Sequence, residues 1–290
     1  MSTPVNPPPK MSIVVHTPMS DINTLIWQIK RLHRERKIPR HFEEYIHPLV
    51  QSEYVLTESK ITLLDGFLGF YRTRLDEPEI YCTMVTPKVL KNALELDTWF
   101  DTNLMYWWFS IFKVRYPYVF FYDASVCSWW RENNIKALEE NIWGKDGIKV
   151  WEAKEKRLLV FILWHEAHFT LLVGDTQERR WDFYNSMKSD RSSLPACKEF
   201  IDFLGKQFSN YGWYDTHVWP ILVETKIPYQ ENGNNCGVFA LAFANHVASK
   251  RPINFTQVDI PYWRSKIVVD IYSKSWEINS HRLPIDPFLS

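Results

Sequence analysis

Cysteine is scarce in this chain: four occur in 290 residues, at positions 82, 127, 197 and 236, and no two form a Cys-x-x-Cys pair. That spacing argues against a disulfide framework and against a structural zinc site, and it fits a reducing compartment. Long apolar runs are missing too. No stretch is of bilayer-spanning length, and the Pro-rich N-terminus lacks the apolar core of a signal peptide. Charge of one sign is absent as well: 34 basic and 34 acidic residues cancel, so neither nucleic acid nor an acidic membrane is expected as a partner. No internal repeat and no nucleotide or phosphate motif is visible.

What the chain does hold is apolar surface to bury. Hydrophobic residues make up 46% and aromatic residues 16%, including 14 Trp, enough for one large domain with a small appendage. Residues 1–19 are rich in Pro, Ser and Thr and read as disordered. Residues 21–38 read as a basic helix, capped by Ser20 and stopped before Pro39. Its Lys30, Arg31, Arg34, Arg36 and Lys37 fit a solvated face, with a nuclear import signal or a site for an acidic partner as the alternatives. Ile61, Leu64, Leu68 and Tyr71 mark an amphipathic helix behind Thr57, and Thr86-Pro87 is a cap and first-turn pair. Further helices are expected around 99–113, 125–142 and 195–209, and from Cys236 to Pro252. Strands are expected around 158–163, 169–174, 181–184 and 218–223. The fold class is α+β, a mixed sheet flanked by helices.

Chemistry concentrates in Ile227-Pro-Tyr-Gln-Glu-Asn-Gly-Asn-Asn-Cys-Gly-Val-Phe. Cys236 stands where a helix begins, and the converging backbone N–H groups there favour a thiolate. Gln230, six residues upstream, can aim its NH₂ at an oxyanion forming on a substrate carbonyl. A base is at hand. His168 opens one apolar strand, and Asn185 follows the returning strand 17 positions later. A strand, a tight turn and a strand back bring such positions together. Thiol, imidazole and a tautomer-fixing polar group are what a cysteine protease requires, and Cys236, His168 and Asn185 supply them. Each has a competitor: an inert buried thiol for Cys236, His165 for His168, Asp182 and Asp175 for Asn185, and a surface role for Gln230. His165 and His168 have no third ligand at metal-binding spacing, so no metal and no cofactor is expected.

These residues resemble the ubiquitin-like-specific protease family, the SUMO or sentrin-specific cysteine proteases. The likeness rests on His168-Phe-Thr-Leu-Leu-Val-Gly-Asp, Asn185-Ser, Gln230 and Asn232-Gly-Asn-Asn-Cys-Gly-Val-Phe. It extends to Trp99-Phe-Asp-Thr-Asn-Leu and Phe120-Phe-Tyr-Asp-Ala-Ser, so it covers roughly residues 94–275. It implies a papain-like or adenain-like cysteine protease fold with a helical N-terminal extension. The corresponding division is a Pro-rich segment 1–19, an extension 20–90, a catalytic domain 91–275 and a tail 276–290. It also implies cleavage after the C-terminal Gly-Gly of a ubiquitin-like modifier, SUMO-like in first place, carried on conjugated proteins. Trp99 and Phe169 would then clamp the diglycine tail, and the protein would work inside the cell, in nucleus or cytoplasm.

The chain departs from the family pattern at four positions. Asn185 and Asn235 replace Asp, Phe169 replaces Trp, and Thr102 stands where an Asp often contacts the modifier. An amide still holds the ring tautomer, as in papain-type triads, but stabilises an imidazolium less. A catalytically weakened scaffold and an acyltransferase with the same Cys-His site are the rival readings.

Overall fold

The computed structural model describes residues 54, 56–71 and 85–279. The Pro-rich segment, the basic helix expected at 21–38 and the last residues of the expected tail lie outside them. Helix α1 (Glu58–Tyr71) follows Thr57 as its apolar spacing requires, and it buries Leu64, Phe67 and Leu68. Helix α2 (Pro87–Leu94) opens on Thr86, whose hydroxyl accepts from the Val89 N–H at 3.3 Å. Pro87 sits in the first turn, where a missing N–H is harmless. Helix α3 (Thr102–Arg115) is capped by Asp101, which accepts from the Asn103 N–H at 2.7 Å.

Strand β1 (Val119–Phe121) leads into α4 (Val126–Arg131), α5 (Ile135–Leu138), a π turn over Glu139–Trp143 and α6 (Ile148–Lys154). The single helix expected over 125–142 is therefore broken. Asn133 takes a left-handed φ of 51°, which asparagine tolerates better than most residues, and Asn134 recaps the chain by accepting from the Ala137 N–H.

The remaining elements are β2 (Leu158–His165), β3 (His168–Asp175), β4 (Arg180–Tyr184), α7 (Ser193–Ser209), β5 (Ile221–Val223), α8 (Cys236–Ala248) and α9 (Ile260–Asn279). Two sequence expectations change here. The strand placed at 218–223 keeps only its last three residues, because Thr216–Val218 forms a 3-10 turn. The helix expected to reach Pro252 ends at Ala248, where the backbone turns through Lys250 at a φ of 55°. Helix α9 goes unanticipated in the strand and helix reading. Its signals are present all the same: Ile260, Trp263, Ile267 and Ile271 recur at helical spacing, behind a Thr256/Asp259 capping box.

The five strands lie in the order β1-β2-β3-β4-β5. The two outer pairings are parallel and the two inner ones antiparallel. Alternation along β2 and β3 divides the core. Val160, Ile162, Phe169, Leu171 and Val173 face α3, α8 and α9. Leu159, Phe161, Leu163 and Leu172 face α4 and α7. Burying each such side chain stabilises by about 1.5–3 kcal/mol. Helix α1 shares the first of these cores, and Lys60 pairs with Asp270 of α9 at 2.7 Å.

Between β2 and β3 the chain reverses in two residues, Glu166 and Ala167, with φ of 46° and 62°, and His165 pairs with His168 across the turn. Such primed turns match the twist of the strands. This one fixes His168 as the first residue of β3.

Candidate active site

The β3–β4 hairpin determines which polar groups meet. Leu171 is paired with Tyr184. Continuing that register past the end of β4 makes Asn185 a diagonal neighbour of His168 on one face. The side chains join there: His168 Nε2 lies 2.8 Å from Asn185 Oδ1. The amide orientation is fixed by two further bonds. Asn185 Oδ1 accepts from the Met187 N–H at 2.8 Å, and Asn185 Nδ2 donates to Asp190 Oδ2 at 2.9 Å. An amide oxygen only accepts, so Nε2 carries the imidazole hydrogen and Nδ1 keeps its lone pair. That Nδ1 is buried and has no hydrogen-bond partner among the described residues. A buried base with a spare lone pair is suited to taking a proton.

The thiol heads α8 against the start of β3: Phe169, the residue next to His168, packs over Gly237. The backbone amides of Phe169, Gly237 and Cys236 itself favour the thiolate form of Cys236. Asn235 occupies the N-cap position of α8 but its side chain does not cap the helix; its Oδ1 accepts from Arg264 Nη2 at 2.8 Å. The leading amides of the helix are therefore left for the sulfur, or for an oxyanion. The Cys-Gly dipeptide has a packing cause. A Cβ on Gly237 would lie 2.4 Å from Met105 Cε and 2.9 Å from Phe100 Cβ, so only glycine lets α8 start this close to α3.

The electrostatics differ from the sequence expectation of a helix-stabilised thiolate. Burial pushes the Cys236 thiol above its ordinary range, and the three amides and the Arg264 guanidinium oppose that without overcoming it. Arg264 is itself fully buried. Nη1 donates to the Ala93 carbonyl at 2.9 Å and Nη2 to the Thr98 carbonyl at 2.7 Å. Burial lowers its pKa to about 10, which leaves it a cation near neutrality.

Gln230 is held by its neighbour in space. Its N–H donates to the Ser186 carbonyl at 2.9 Å, the Ser186 hydroxyl donates to Gln230 Oε1 at 2.7 Å, and Gln230 Nε2 donates to the Asn232 carbonyl at 2.6 Å. Of the competing groups, Asp182 bonds Arg180 at 2.8 Å, and Asp175 bonds Arg157 at 3.2 Å as well as the amides of its own turn. His165 contacts Arg131 and Glu166.

Trp99 and Phe169 differ in exposure, at 51% and 6% respectively. Phe169 packs over Gly237 of the thiol helix, and the loop two residues before Trp99 is tied to the segment preceding that helix, where Asn234 Nδ2 donates to the Asp97 carbonyl at 2.7 Å. Among the described residues no cluster of three or more His, Cys, Asp or Glu could hold a metal ion, and no helix is long and apolar enough to cross a membrane. Cys127, Cys197 and Cys236 are all free thiols.

Asp190 and Arg264 escape a reading by motif, and Ser186 appears in one without a role. Ser186 and Asp190 lie in the loop after β4, and Arg264 lies on α9, 28 positions beyond the cysteine. Helical spacing around Trp263 was the one available signal for Arg264, because it puts a cation on an apolar face.

A thiol at a helix start, packed on a mixed sheet that carries an imidazole with an amide partner, is the kind of arrangement that cysteine-type peptidases use. A family model described as the Ulp1 protease family, C-terminal catalytic domain, matches residues 129–276. That is just over half of the chain, and the chain belongs to this family.

A sentrin-specific protease of Caenorhabditis elegans is 32% identical over 110 residues, which cover 37% of this chain and 15% of the relative. Human sentrin-specific protease 3 is 27% identical over 133 residues, covering 44% and 23%. The matched region is thus less than a quarter of either relative. Among solved structures, the SUMO protease Ulp1 with its catalytic cysteine oxidised to a sulfenic acid superposes with a TM-score of 0.61 at 14% identity, over 77% of this chain and 97% of the other. The Ulp1 protease domain in complex with Smt3 gives 0.58 at 13% identity, over 76% and 96%. The fold is Ulp1-like, as the sequence resemblance implied.

Proposed function

We propose that the chain is a thiol isopeptidase or endopeptidase that cleaves after the terminal Gly-Gly of a ubiquitin-like modifier, SUMO-like in first place. The observation that carries this reading is the pairing of His168 Nε2 with Asn185 Oδ1, which leaves Nδ1 without a partner one residue before Phe169, whose backbone amide favours the Cys236 thiolate. In the proposed reaction Nδ1 takes the Cys236 proton as Sγ bonds to the glycine carbonyl carbon. The oxyanion is held by Gln230 Nε2 and the Cys236 N–H. Collapse breaks the C–N bond, and the departing lysine amine takes the proton from Nδ1. Water, deprotonated by Nδ1, then attacks the thioester carbonyl and releases the modifier carboxylate and the thiol.

Trp99, with its half-exposed indole, forms the reachable wall of a diglycine channel, and Phe169 forms part of its floor. The sentrin-specific names of the relatives and the Smt3 partner of the solved Ulp1 domain support a SUMO-like modifier. Residues 91–275 are proposed as the catalytic unit.

The test is a panel of SUMO, ubiquitin and Nedd-type modifiers bearing a C-terminal electrophile, applied to wild type and Cys236→Ala. The expected result is one covalent adduct with the SUMO probe, absent in the variant. Labelling that survives Cys236→Ala refutes the assignment. A wild type that binds modifier yet is never labelled supports the scaffold reading, and acyl-CoA consumption the transferase.

A further inference from the structure

The chain lacks a carboxylate at the third triad position, yet one stands a single hydrogen bond further out. Asp190 Oδ2 accepts from Asn185 Nδ2 at 2.9 Å, and Asn185 Oδ1 meets His168 Nε2 at 2.8 Å. We propose that Asp190 is a positioning residue of the triad, which sets the His168 tautomer and balances the imidazolium charge through the Asn185 amide. This rests on the peptidase reading above.

The case begins with the ambiguity of an amide. Asn185 turned end for end would present NH₂ to His168, and the ring would answer with its Nε2 lone pair. Its hydrogen would then sit on Nδ1, and the lone pair that the proposed reaction uses as base would be lost. A carboxylate only accepts, so Asp190 forces Nδ2 outward and Oδ1 toward the ring. The Met187 N–H on Oδ1 acts in the same sense.

Asp190 is firmly held for this task. Its Oδ1 accepts from the Ser192 N–H at 2.8 Å, the Ser192 hydroxyl at 2.9 Å and the Ser193 N–H at 3.3 Å, which anchors it to the start of α7. Partial burial pushes this carboxyl up, but hydrogen bonds from Ser193, Ser192 and Asn185 outweigh that and hold it at about 2, so it is ionised at any working pH. Among the described residues no cation is ion-paired with it, so its charge is not neutralised at contact. The cation whose charge bears on the thiol is Arg264 of α9, which is not paired with Asp190. Polarisation along such a chain strengthens each bond in it.

A purely structural Asp190 would serve only as an anchor for α7, and the experiment separates the two roles. In the Cys236→Ala protein, nitrogen NMR of His168 reads tautomer and titration directly, whether or not the wild type proves to be a peptidase. With Asp190→Asn the His168 midpoint should fall and the Nε2–H tautomer should lose its dominance. In the Cys236 enzyme the same change should lower kcat on a modifier-fluorophore substrate by about 10- to 100-fold with KM within about twofold, a part of what a wrong tautomer costs a serine triad.

Asn185→Asp alone sets two carboxylates at contact and should also be impaired. The double variant Asn185→Asp/Asp190→Asn moves the charge inward, and its kcat should exceed that of either single variant by at least tenfold. An unchanged His168 tautomer and midpoint in a folded Asp190→Asn protein overturns the inference. So does a double variant no better than the singles. If the wild type reacts with no modifier probe, the peptidase reading falls, and the NMR measurement alone decides whether Asp190 governs His168.

Discussion

Ser186 holds Gln230 from two sides, accepting its backbone N–H at 2.9 Å and donating its hydroxyl to Oε1 at 2.7 Å. With Oε1 engaged, the carboxamide can only turn its NH₂ the other way. One of those hydrogens goes to the Asn232 carbonyl, and the other is the one that the proposed reaction would aim at an oxyanion. Preorganised donors of this kind matter because no reorganisation is needed when charge develops.

Ser186→Ala removes that support while leaving Gln230 in place. The expected outcome is a fall in kcat of roughly tenfold with KM within about twofold, against about 10²-fold for Gln230→Ala. Steady-state kinetics on a modifier-fluorophore substrate would measure it. Wild-type kcat in Ser186→Ala would show that Gln230 needs no such orientation.

The Cys236 thiol should titrate late. Burial raises it above its ordinary value of 9.0, and Arg264 pulls the other way. The resting sulfur is then a thiol near neutral pH, and alkylation of Cys236, followed by peptide mass spectrometry, should rise only in the alkaline range. Arg264→Gln should move the midpoint of that rise higher still, and Arg264→Lys should move it less. The linked stability has a definite sign. A group raised on folding contributes fully below its unfolded pKa, and the contribution is lost as pH rises through the folded one. Alkaline destabilisation beyond pH 9 should accordingly be weaker in Cys236→Ala. A plateau of rapid alkylation already at pH 6 would mean that the sulfur and imidazole rest as an ion pair, against this prediction.

Gly237→Ala tests the close start of α8 on α3. The added methyl would sit 2.4 Å from Met105 Cε, at the end of a flexible side chain, and 2.9 Å from Phe100 Cβ, which cannot swing away. Overpacking of this kind costs about 1–3 kcal/mol. Met105→Val in the same protein should recover part of that, since one of the two clashes disappears. Urea unfolding provides the measurement, and an unchanged midpoint in the single variant would contradict the packing account.

Much of this molecule was legible in its residues. The apolar runs Leu158 to Leu163 and Phe169 to Val173 announced two strands, and they run unbroken because both faces of the sheet are buried. The Thr86-Pro87 pair announced α2 because capping is a local matter. Expectations failed where local signals compete. The apolar and helix-forming residues over 125–142 concealed the break at Asn133, and the strand at 218–223 lost its first residues to a turn. The site followed the same division. His168, Asn185, Gln230 and Cys236 carry spacing that can be read along the chain. Ser186 and Asp190 matter only through partners 44 and 5 positions away, and Arg264 through a carboxamide 29 positions away.

The order of amino acids by itself determined the family and the short-range elements: hairpin, caps, and a thiol at the head of a helix. Each depends on neighbours within a few bonds or one turn. Tertiary packing decided the protonation pattern. Whether the sulfur carries charge, which end of Asn185 meets the ring and which way Gln230 points are all set by desolvation and by hydrogen-bond partners from distant segments. Such partners acquire their energies only once water has been excluded between them.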